Sequence, residues 1–470
     1  MWAYKKHQAT KSASGRQKDD VVSLAGNKQT TITSTIAKQQ TSKCIREEFV
    51  LDFLKTMVTA DIPLNKLERI RPFISKYCKQ GGSLPQQSTL RQVYLPRLFS
   101  DHHASLVDKF VNKPIAIILD ETTDVRDHSI LNIMFSVYGE VYLVDCVTMG
   151  ACNHSTVSQA VVKTVTDYGI EYNNVMAVVT DSAAYCKKAY KDVLSGLFPQ
   201  STHVPCLAHI INLVGEIFLH WPSFNDVHLM CSMMKSAFFK KPQRKRRFLE
   251  FLSEYLPPNR VHLPPEPVRT RWGTWFAVIK YHTEYIHLYE GFFKSEKSEG
   301  VAVESLLEIT RNKDRYKDVQ LQMAFIVENC HHIMNLITYL EGTHFPLAAY
   351  MYNKMEEMRA FLLSGTTKLE FGIQTDIQLS KYDIQARKKY TLLFNKIFQS
   401  ALDKFEKHID HHPAMDHYKS TRLFNPVYLP AQPKTLDAYP NIPEFSVHNQ
   451  ELLDEFNIYT HLRINSEDKM

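Results

Sequence analysis

Two aspartates stand where acidic residues are uncommon, each at the end of a run of apolar residues. Asp120 follows the run IAIIL, and Asp181 follows NVMAVVT. Such runs are typical of buried strands. Two carboxylates at equivalent ends of neighbouring strands could hold a divalent cation for phosphoryl chemistry. Asp also favours turns and helix N-termini, so the same spacing fits a turn at Asp120 and a helix cap at Asp181.

A second chemically suggestive stretch is KKPQRKRR, which begins at Lys240. This dense positive charge is typical of phosphate contacts or of a nuclear localisation signal. A solvated helix face is the alternative, and Pro242 makes a regular helix face less favoured. The basic residues of this stretch are Lys240, Lys241, Arg244, Lys245, Arg246 and Arg247.

The region from Asp101 to Trp221 contains the elements that must position the two aspartates. Its hydrophobic pattern predicts three strands in an antiparallel meander, followed by helices alternating with two further strands. We expect strands at 115–119, 130–138, 141–149, 175–180 and 202–206, and helices at 154–168, 182–197 and 207–219. This order is typical of an RNase H-like fold, a mixed α/β sheet.

Composition limits the classes of protein to be considered. The chain has 470 residues, a formal charge of +6 and 44% hydrophobic residues, which predicts two or three structural units and permits a nucleic-acid partner. The eight cysteines form no CxxC pair, so reduced thiols are expected rather than a zinc knuckle or a disulfide scaffold. No apolar run is long enough for a membrane span, and the amino terminus lacks the apolar segment of a signal peptide. We therefore expect no membrane association and no secretion.

The remaining regions differ in character. We expect a disordered basic tail, a small helical module, an RNase H-like core, a large all-α insertion, and a Pro-rich segment with a terminal helix. Within the insertion, long apolar periodicity predicts helices at 276–293, 319–340, 345–363 and 377–408. The predicted boundaries of the five regions are 1–46, 47–100, 101–275, 276–424 and 425–470.

The helical module carries a family resemblance. FVLDFLKTMVTADIPLNKLER and IRPFISKYCKQGGSLPQQSTLRQVYLPRLF resemble the carboxy-terminal half of the CGG triplet-repeat-binding proteins, small transposase-derived DNA-binding proteins of the nucleus. That family carries a BED-like zinc finger upstream of this module. Here no cysteine precedes Cys44. The sequence-specific DNA contact of the finger is therefore not expected from this chain.

A second resemblance covers most of the remaining chain. ILDETTD, VVTDSAAYCKKAY, PCLAHIINLV and VRTRWGTW, in this order, resemble the hAT superfamily of DNA transposases. The resemblance implies that Asp120 and Asp181 are the first two of three carboxylates that bind two Mg²⁺ or Mn²⁺ ions. Asp124 competes with Asp120 for the first position, but its place beyond the strand indicates a turn former.

The same resemblance assigns expectations to two residue pairs. Arg271 and Trp272 match an Arg-Trp motif whose aromatic ring stacks on a flipped base, and the alternative is a core tryptophan beside a solvated arginine. Cys206 and His209 match a Cys-x2-His motif. A single such pair does not satisfy the four ligands of a structural zinc site, so no zinc is predicted. We interpret this pair as structural or as lining the site.

The third acid of the family, a glutamate, lies in a carboxy-terminal region that also carries the dimerisation contacts. Nothing after Tyr418 resembles that region, so we expect a chain that is truncated before it. We expect a domesticated or truncated hAT-transposase-like nuclear protein that binds double-stranded DNA, acts in transcription regulation and lacks strand cleavage. Homo-oligomers would form through the helical region. The alternatives are an active metal-dependent transposase or nuclease, with its third acid from Glu451, Glu455 or another chain, and a scaffold that does not bind DNA.

Overall fold

A computed structural model describes residues 32–79, 84–266, 272–296, 300–342, 347–442, 445 and 449–461. The chain divides into two compact units, one up to Asp108 and the other from Lys109 onward.

The first unit is helical. It contains α1 (Ile32–Thr59), α2 (Leu67–Tyr77) and the start of α3 (Leu95–Phe110), with a short helical turn at Gln87–Thr89 and a π-helical turn at Leu90–Tyr94 leading into α3. Val50, Met57, Leu67, Leu84 and Leu90 form its small hydrophobic core. The α1 helix begins inside the segment 1–46 that was expected to be disordered, and the earlier part of that segment lies outside the described residues.

The second unit begins with a five-stranded mixed sheet. Its strands are β1 (Ile115–Thr123), β2 (Ser129–Val137), β3 (Glu140–Met149), β4 (Val175–Thr180) and β5 (Thr202–Pro205), in the spatial order β3-β2-β1-β4-β5. The strands β3, β2 and β1 are antiparallel neighbours, whereas β4 and β5 run parallel to β1. The predicted mixed α/β sheet is therefore confirmed.

The first strand is longer than predicted. We expected it to end at Leu119, but β1 continues to Thr123, where it pairs with Ser129 of β2. The β-branched Thr122 and Thr123 suit a strand, and this pairing uses their backbone groups. Asp120 therefore lies within the strand, not in the turn after it.

The predicted turn role of Asp124 agrees with the structure. Its carboxylate accepts hydrogen bonds from the backbone N–H groups of Arg126 and His128, at 2.7 and 2.9 Å. These bonds close the β1–β2 turn, in which Asp127 has a positive φ of 61°.

Helices flank and follow the sheet. They are α4 (His154–Asp167), α5 (Ala184–Ala189), α6 (Leu207–Leu219), α7 (Asn225–Phe238), α8 (Pro242–Tyr255), α9 (Trp272–Ser295), α10 (Val301–Arg311), α11 (Lys313–Leu340), α12 (Ala348–Thr367), α13 (Ile373–Leu379), α14 (Ile384–Ile409), α15 (Met415–Thr421) and α16 (Gln450–Thr460). A π-helical turn, Tyr190–Leu194, directly follows α5.

One continuous hydrophobic core joins α6 through α14. At its centre, the rings of Phe325 and Phe394 stack with their centroids 3.9 Å apart. The helices α7 and α8 belong to this core although they precede Phe276, where the helical insertion was expected to begin. After α14 the chain returns to the sheet, because Nε2 of His412 lies 2.8 Å from the carbonyl oxygen of Pro205.

One predicted helix is divided in two. The segment 377–408 was expected to form one helix, but α13 ends at Leu379 and α14 begins at Ile384. The carboxylate of Asp383 accepts a hydrogen bond from the N–H of Ala386 at 2.8 Å and caps the second helix. In the part of the chain that the structure describes, no helix combines the length and apolar character needed to cross a bilayer.

Candidate functional site

Asp120 and Asp181 lie on the same face of the sheet. Ile118 of β1 pairs with Val179 of β4 in parallel register. Side chains two residues apart in a strand point to the same face. Asp120 and Asp181 are each two residues beyond this pair, so the two carboxylates come abreast at the carboxyl ends of adjacent parallel strands. Ligands of open α/β sheets bind at such edges.

The electrostatics of Asp120 agree with this placement. Partial burial raises the pKa of the Asp120 carboxyl above its ordinary value, and the negative charge of Asp181 raises it further. His209, in the first turn of α6, acts in the opposite direction and lowers this pKa. Asp181 and His209 thus both lie within electrostatic range of Asp120.

Asp181 also has a local structural role. Its Oδ1 accepts a hydrogen bond from the N–H of Ala183 at 2.9 Å, directly before α5. Its carboxylate also interacts with the thiol of Cys186 and raises the pKa of that thiol, although burial is the larger cause. Asp181 therefore closes the turn before α5, whose N-cap is Ala183. A carboxylate can accept this bond and still hold a cation, so the turn and the predicted ligand role are compatible at Asp181.

A polar row that the sequence interpretation missed accompanies Asp120. Asn132 of β2 is the cross-strand partner of Asp120, and Cys146 of β3 is the partner of Asn132. The Asn132 amide donates to Oγ1 of Thr122 at 3.3 Å and accepts from the Cys146 thiol at 3.3 Å. The signal was present in the sequence, because Asn132 interrupts the apolar run of β2 at the position that faces away from Leu131 and Ile133.

Glu121 was also missed, because it was expected to lie in a turn. It is half-buried in β1, and the hydroxyl of Tyr185 in α5 donates a hydrogen bond to its carboxylate. Burial raises the pKa of Glu121, but hydrogen bonds with Tyr185, Ser129 and Cys152 outweigh this effect and leave it below the ordinary value. Glu121 is therefore a carboxylate near the aspartates that is already held by three neighbours.

Cys206 directly precedes α6, and His209 lies in the first turn of that helix. Burial raises the pKa of the Cys206 thiol, and the backbone N–H groups of His209 and Ala208 counteract that effect. The charges of Asp120 and Asp181 also raise it, so this thiol lies within electrostatic range of the pair. The imidazole of His209 is exposed. The interpretation of Cys206 and His209 as structural or as lining the site stays a prediction.

The alternative third acids lie elsewhere. Glu451 and Glu455 are exposed on α16, whose Phe456 packs into a separate small hydrophobic core with Leu423 and Tyr439. Neither glutamate is among the groups that shift the pKa of Asp120. Within the described residues, no three His, Cys, Asp or Glu side chains form a group that could hold a metal ion.

The basic run is divided between the interior and the surface. Its helix, α8, begins at Pro242, because proline is well suited to the first helical position. Arg244 is buried: its Nε lies 2.8 Å from the carboxylate of Glu296, and Nη1 donates to the carbonyl of Ala237 at 2.8 Å. Arg247 also donates to Glu296, at 2.6 Å. Arg244 was predicted to contact phosphate, but its guanidinium is directed into the fold.

The other four basic residues of the run are held less closely by carboxylates than Arg244 and Arg247 are. Lys245 lies 3.8 Å from Glu266, and Arg246 lies 3.4 Å from Glu250. Lys240 and Lys241 are exposed, and Lys240 has a positive φ of 50° directly before the helix. These four side chains, rather than all six, are available to an external anion.

The structure does not describe the side chains of the predicted Arg-Trp motif. Arg271 lies outside the described residues, and Trp272 begins α9 with a side chain that also lies outside them. Its neighbour Trp275 packs partly buried against the helical core. The predicted base-stacking role of Trp272 therefore stays a prediction.

Two family models match the chain. Residues 40–97 match the CGGBP1 helical domain, and residues 85–234 match DUF659, a domain of unknown function. CGG triplet repeat-binding protein 1 of Homo sapiens is 30% identical over 92 residues, which are 19% of this chain and 55% of the relative. The protein of the same name from Mus musculus is 29% identical over 92 residues, with the same coverage. The matched segment spans about half the length of these curated relatives.

Both resemblances found in the sequence are thereby confirmed. The helical module at 47–100 falls largely in the first matched region, and Asp120, Asp181, Cys206 and His209 all fall in the second. Residues 40–97 are therefore similar to the CGGBP1 helical domain, and residues 85–234 are similar to DUF659.

Proposed function

We propose that this chain is a transposase-derived protein that binds double-stranded DNA in the nucleus, takes part in transcription regulation and does not cleave strands. The observation that carries the proposal is the common face of Asp120 and Asp181 at the ends of two parallel strands, inside the DUF659 match. The strand order β3-β2-β1-β4-β5 favours an RNase H-like core. In this interpretation the aspartates are the remnant of a site that acted on phosphodiesters.

The DNA partner is proposed from two independent features. The relatives that match the first unit are named for binding a CGG triplet repeat. In the second unit, Lys240, Lys241, Lys245 and Arg246 form an accessible basic surface on and before α8. Such a surface contributes affinity that does not depend on sequence.

We propose the absence of strand cleavage from the carboxylates that are available around Asp120 and Asp181. A two-metal mechanism needs enough carboxylates to hold one ion at the attacking oxygen and a second ion at the leaving oxygen. Asp120 and Asp181 fit one Mg²⁺ or Mn²⁺ ion, because these hard cations are commonly held by one or two carboxylates together with water. The nearest further carboxylate, Glu121, is held by Tyr185 and two other partners. A bound ion would offset the negative charge of a phosphate, and the two aspartates would only position it.

An active metal-dependent nuclease is the second candidate, and the alignment of Asp120 with Asp181 favours it. Activity would require a third ligand, from Glu121 after release from Tyr185, from Glu451 or Glu455, or from another chain. A scaffold that never binds DNA is a third class, and homo-oligomers through the helical region remain part of the proposal.

Binding of fluorescent duplexes to the full chain, measured by anisotropy between 50 and 300 mM salt, tests the proposal. One duplex carries CGG repeats and the other has the same composition in shuffled order. We expect binding whose logarithm falls with the logarithm of salt concentration. Absence of salt-dependent binding to both duplexes would favour the scaffold.

The basic run is tested separately in cells. A variant with Lys240, Lys241, Lys245 and Arg246 changed to Ala retains Arg244 and Arg247, and so retains their ion pairs with Glu296. If the run is a localisation signal, this variant of a fluorescent fusion should lose nuclear enrichment. If the run instead contacts phosphate, the salt dependence of duplex binding should weaken. A variant that keeps both properties would remove the run from the proposal.

A further inference from the structure

A positively charged groove lies at the β5 edge of the sheet, apart from the aspartate pair and from the basic run. The helix that follows β4, the strand β5 and the end of α14 enclose a cavity of about 630 Å³. Three lysines, Lys187, Lys191 and Lys407, and three histidines, His203, His408 and His411, line it, and none of its described lining residues is acidic. We call Lys187, Lys191 and Lys407 with this cavity the lysine groove.

The charge of the lysine groove is not neutralised within the fold. Two carboxylates stand close to Lys407 on α14, Glu406 and Asp410, but both are bound by Arg359, at 3.0 and 2.6 Å. Lys187, Lys191 and Lys407 take part in none of the ion pairs formed by the described residues. Three ammonium groups therefore face one cavity without a protein counterion.

Burial and the charge of these lysines lower the pKa of two neighbouring histidines. Burial is the main cause that lowers the pKa of His408, and Lys187, Lys404 and Lys407 lower it further. Burial also lowers the pKa of His203 to about 4, with His412 and Lys187 as smaller causes. Both imidazoles thus stay neutral near pH 7, and the lysines supply the positive charge.

The floor of the groove is rigid and rich in hydroxyl groups. The ring of Tyr190 stacks on His203 with centroids 4.7 Å apart, and Nε2 of His203 lies 3.0 Å from Oγ1 of Thr180. The Tyr190 hydroxyl donates to the carbonyl of Ser201 at 2.6 Å. Ser195 and Thr202 also line the cavity. The hydroxyls of Tyr190, Ser195 and Ser201 donate to backbone carbonyls, so the lysines are the main donors to a phosphate group in this cavity.

We propose that the lysine groove holds the phosphodiester backbone of duplex DNA. This inference rests on the proposed function and adds a contact surface to it. Lys187 and Lys191 are spaced four residues apart on one helical segment, and Lys407 approaches from α14, so the three charges can contact phosphates from two sides. Lysine acts on phosphate as a point charge, without the planar geometry by which arginine recognises bases. The groove therefore contributes affinity and register, not sequence preference.

The test compares two triple variants of the full chain in duplex binding by anisotropy at several salt concentrations. The groove variant is Lys187→Ala, Lys191→Ala and Lys407→Ala. The matched control is Lys388→Ala, Lys389→Ala and Lys396→Ala, which removes the same charge from α14 at positions outside the groove. We expect the groove variant to reduce the salt slope by about 2 to 3, at roughly 0.9 per phosphate contact, and the control to leave it unchanged. Circular dichroism checks the fold, and the single variant Lys407→Glu replaces the triple if the triple does not fold.

The outcomes separate the two proposals. A wild-type chain that binds duplex, with equal slopes in the groove variant and the control, would refute the groove and leave DNA binding intact. A wild-type chain that binds no duplex would overturn the proposed function, and the groove proposal with it. Poly-glutamate that binds the wild type more tightly than the groove variant, while the duplex salt slopes of the groove variant and the control stay equal, would assign the groove to an acidic protein partner and overturn the DNA contact.

Discussion

Asp120 and Asp181 stand side by side on one face of the sheet, although 61 positions separate them in the chain. The parallel pairing of Ile118 with Val179 fixes this alignment. The effect of Asp181 on the pKa of Asp120 agrees with this proximity, because a nearby negative charge disfavours ionisation of Asp120. A cation placed between the two carboxylates would relieve that repulsion.

The first prediction concerns metal binding and cleavage. The wild-type chain should bind Mn²⁺ weakly, and Asp120→Asn should abolish this binding, because a neutral amide replaces one of the two carboxylates. A Mn²⁺ titration monitored by electron paramagnetic resonance measures the affinity of each protein for the ion. Equal Mn²⁺ affinity of the two proteins would remove Asp120 from the site.

The same proteins settle the question of strand cleavage. Without a third carboxylate, the rate should be lower by a factor of about a hundred to a thousand than in a complete site, since this is the usual effect of losing one electrostatic element. A supercoiled plasmid incubated with Mn²⁺ should therefore be nicked no faster by the wild type than by Asp120→Asn or Asp181→Ala. Faster nicking by the wild type would establish an active enzyme, and Glu121, Glu451 and Glu455 would be the next variants.

The second prediction concerns the buried ion pair in the basic run. Glu296 is 4% exposed at its side chain and Arg244 is 9% exposed. Removal of Arg244 leaves Glu296 paired with Arg247 alone and leaves the buried carbonyl of Ala237 without its donor. Arg244→Ala should lower the free energy of unfolding by about 1.5–3 kcal/mol. Urea denaturation followed by circular dichroism measures this loss.

Lys241→Ala is the matched control, since Lys241 is an exposed basic residue of the same run. It should change the free energy of unfolding by less than about 0.5 kcal/mol. Similar losses in both variants would mean that the guanidinium of Arg244 is not anchored by Glu296.

These comparisons mark what the sequence could and could not predict. The apolar runs were sufficient to predict the strands and their order in the chain, because each run is a local pattern. Arg244 could not be distinguished from its neighbours, because its partner Glu296 lies 52 residues away. The lysine groove was missed for the same reason, since Lys187 and Lys407 are brought together only by the packing of the helical region.

The ends of one strand and one helix were predicted wrongly for a different reason. The strand β1 extends beyond its apolar run because Thr122 and Thr123 pair with residues of β2. The apolar spacing typical of a helix continues through Ser380 in the sequence. In the structure α13 ends at Leu379, and Asp383 caps the next helix, α14. Backbone hydrogen bonding therefore decided these boundaries, whereas the apolar pattern alone had predicted them.

The third prediction concerns Gly372, which precedes α13. Its φ of +104° is unfavourable for residues with a side chain, and an added Cβ would overlap the carboxylate of Glu328. Glu328 accepts hydrogen bonds from the N–H groups of Gln374 and Thr375, at 3.0 and 2.9 Å, so it cannot move without exposing that helix terminus. Gly372→Ala should destabilise the protein by at least about 2 kcal/mol.

Gly196 provides the comparison, because a Cβ added there would meet no atom within 4 Å and its φ is not in the left-handed region. Gly196→Ala should be neutral or stabilising by up to about 1 kcal/mol. Thermal unfolding of both variants measures the difference. Equal melting temperatures would show that Glu328 adapts to the methyl group.

The last prediction concerns pH. His282 is 1% exposed in the helical core, where the hydroxyl of Tyr289 lies 2.6 Å from its Nδ1. Burial lowers the pKa of His282 from 6.5 to about 3. Since the unfolded chain takes up this proton more readily than the folded chain, the stabilising contribution is complete above pH 6.5. It is lost as the pH falls from 6.5 toward 3.

His282→Gln removes the titration and keeps a hydrogen-bonding group beside Tyr289. The stability of the wild type relative to this variant should therefore fall by about 2 kcal/mol between pH 7 and pH 5, at about 1.4 kcal/mol per pH unit below 6.5. Urea denaturation at pH 7, 6 and 5 measures both proteins, and the carboxylates that also titrate cancel in the difference. A difference that stays constant across this range would mean that His282 becomes protonated as readily in the folded protein as in the unfolded chain.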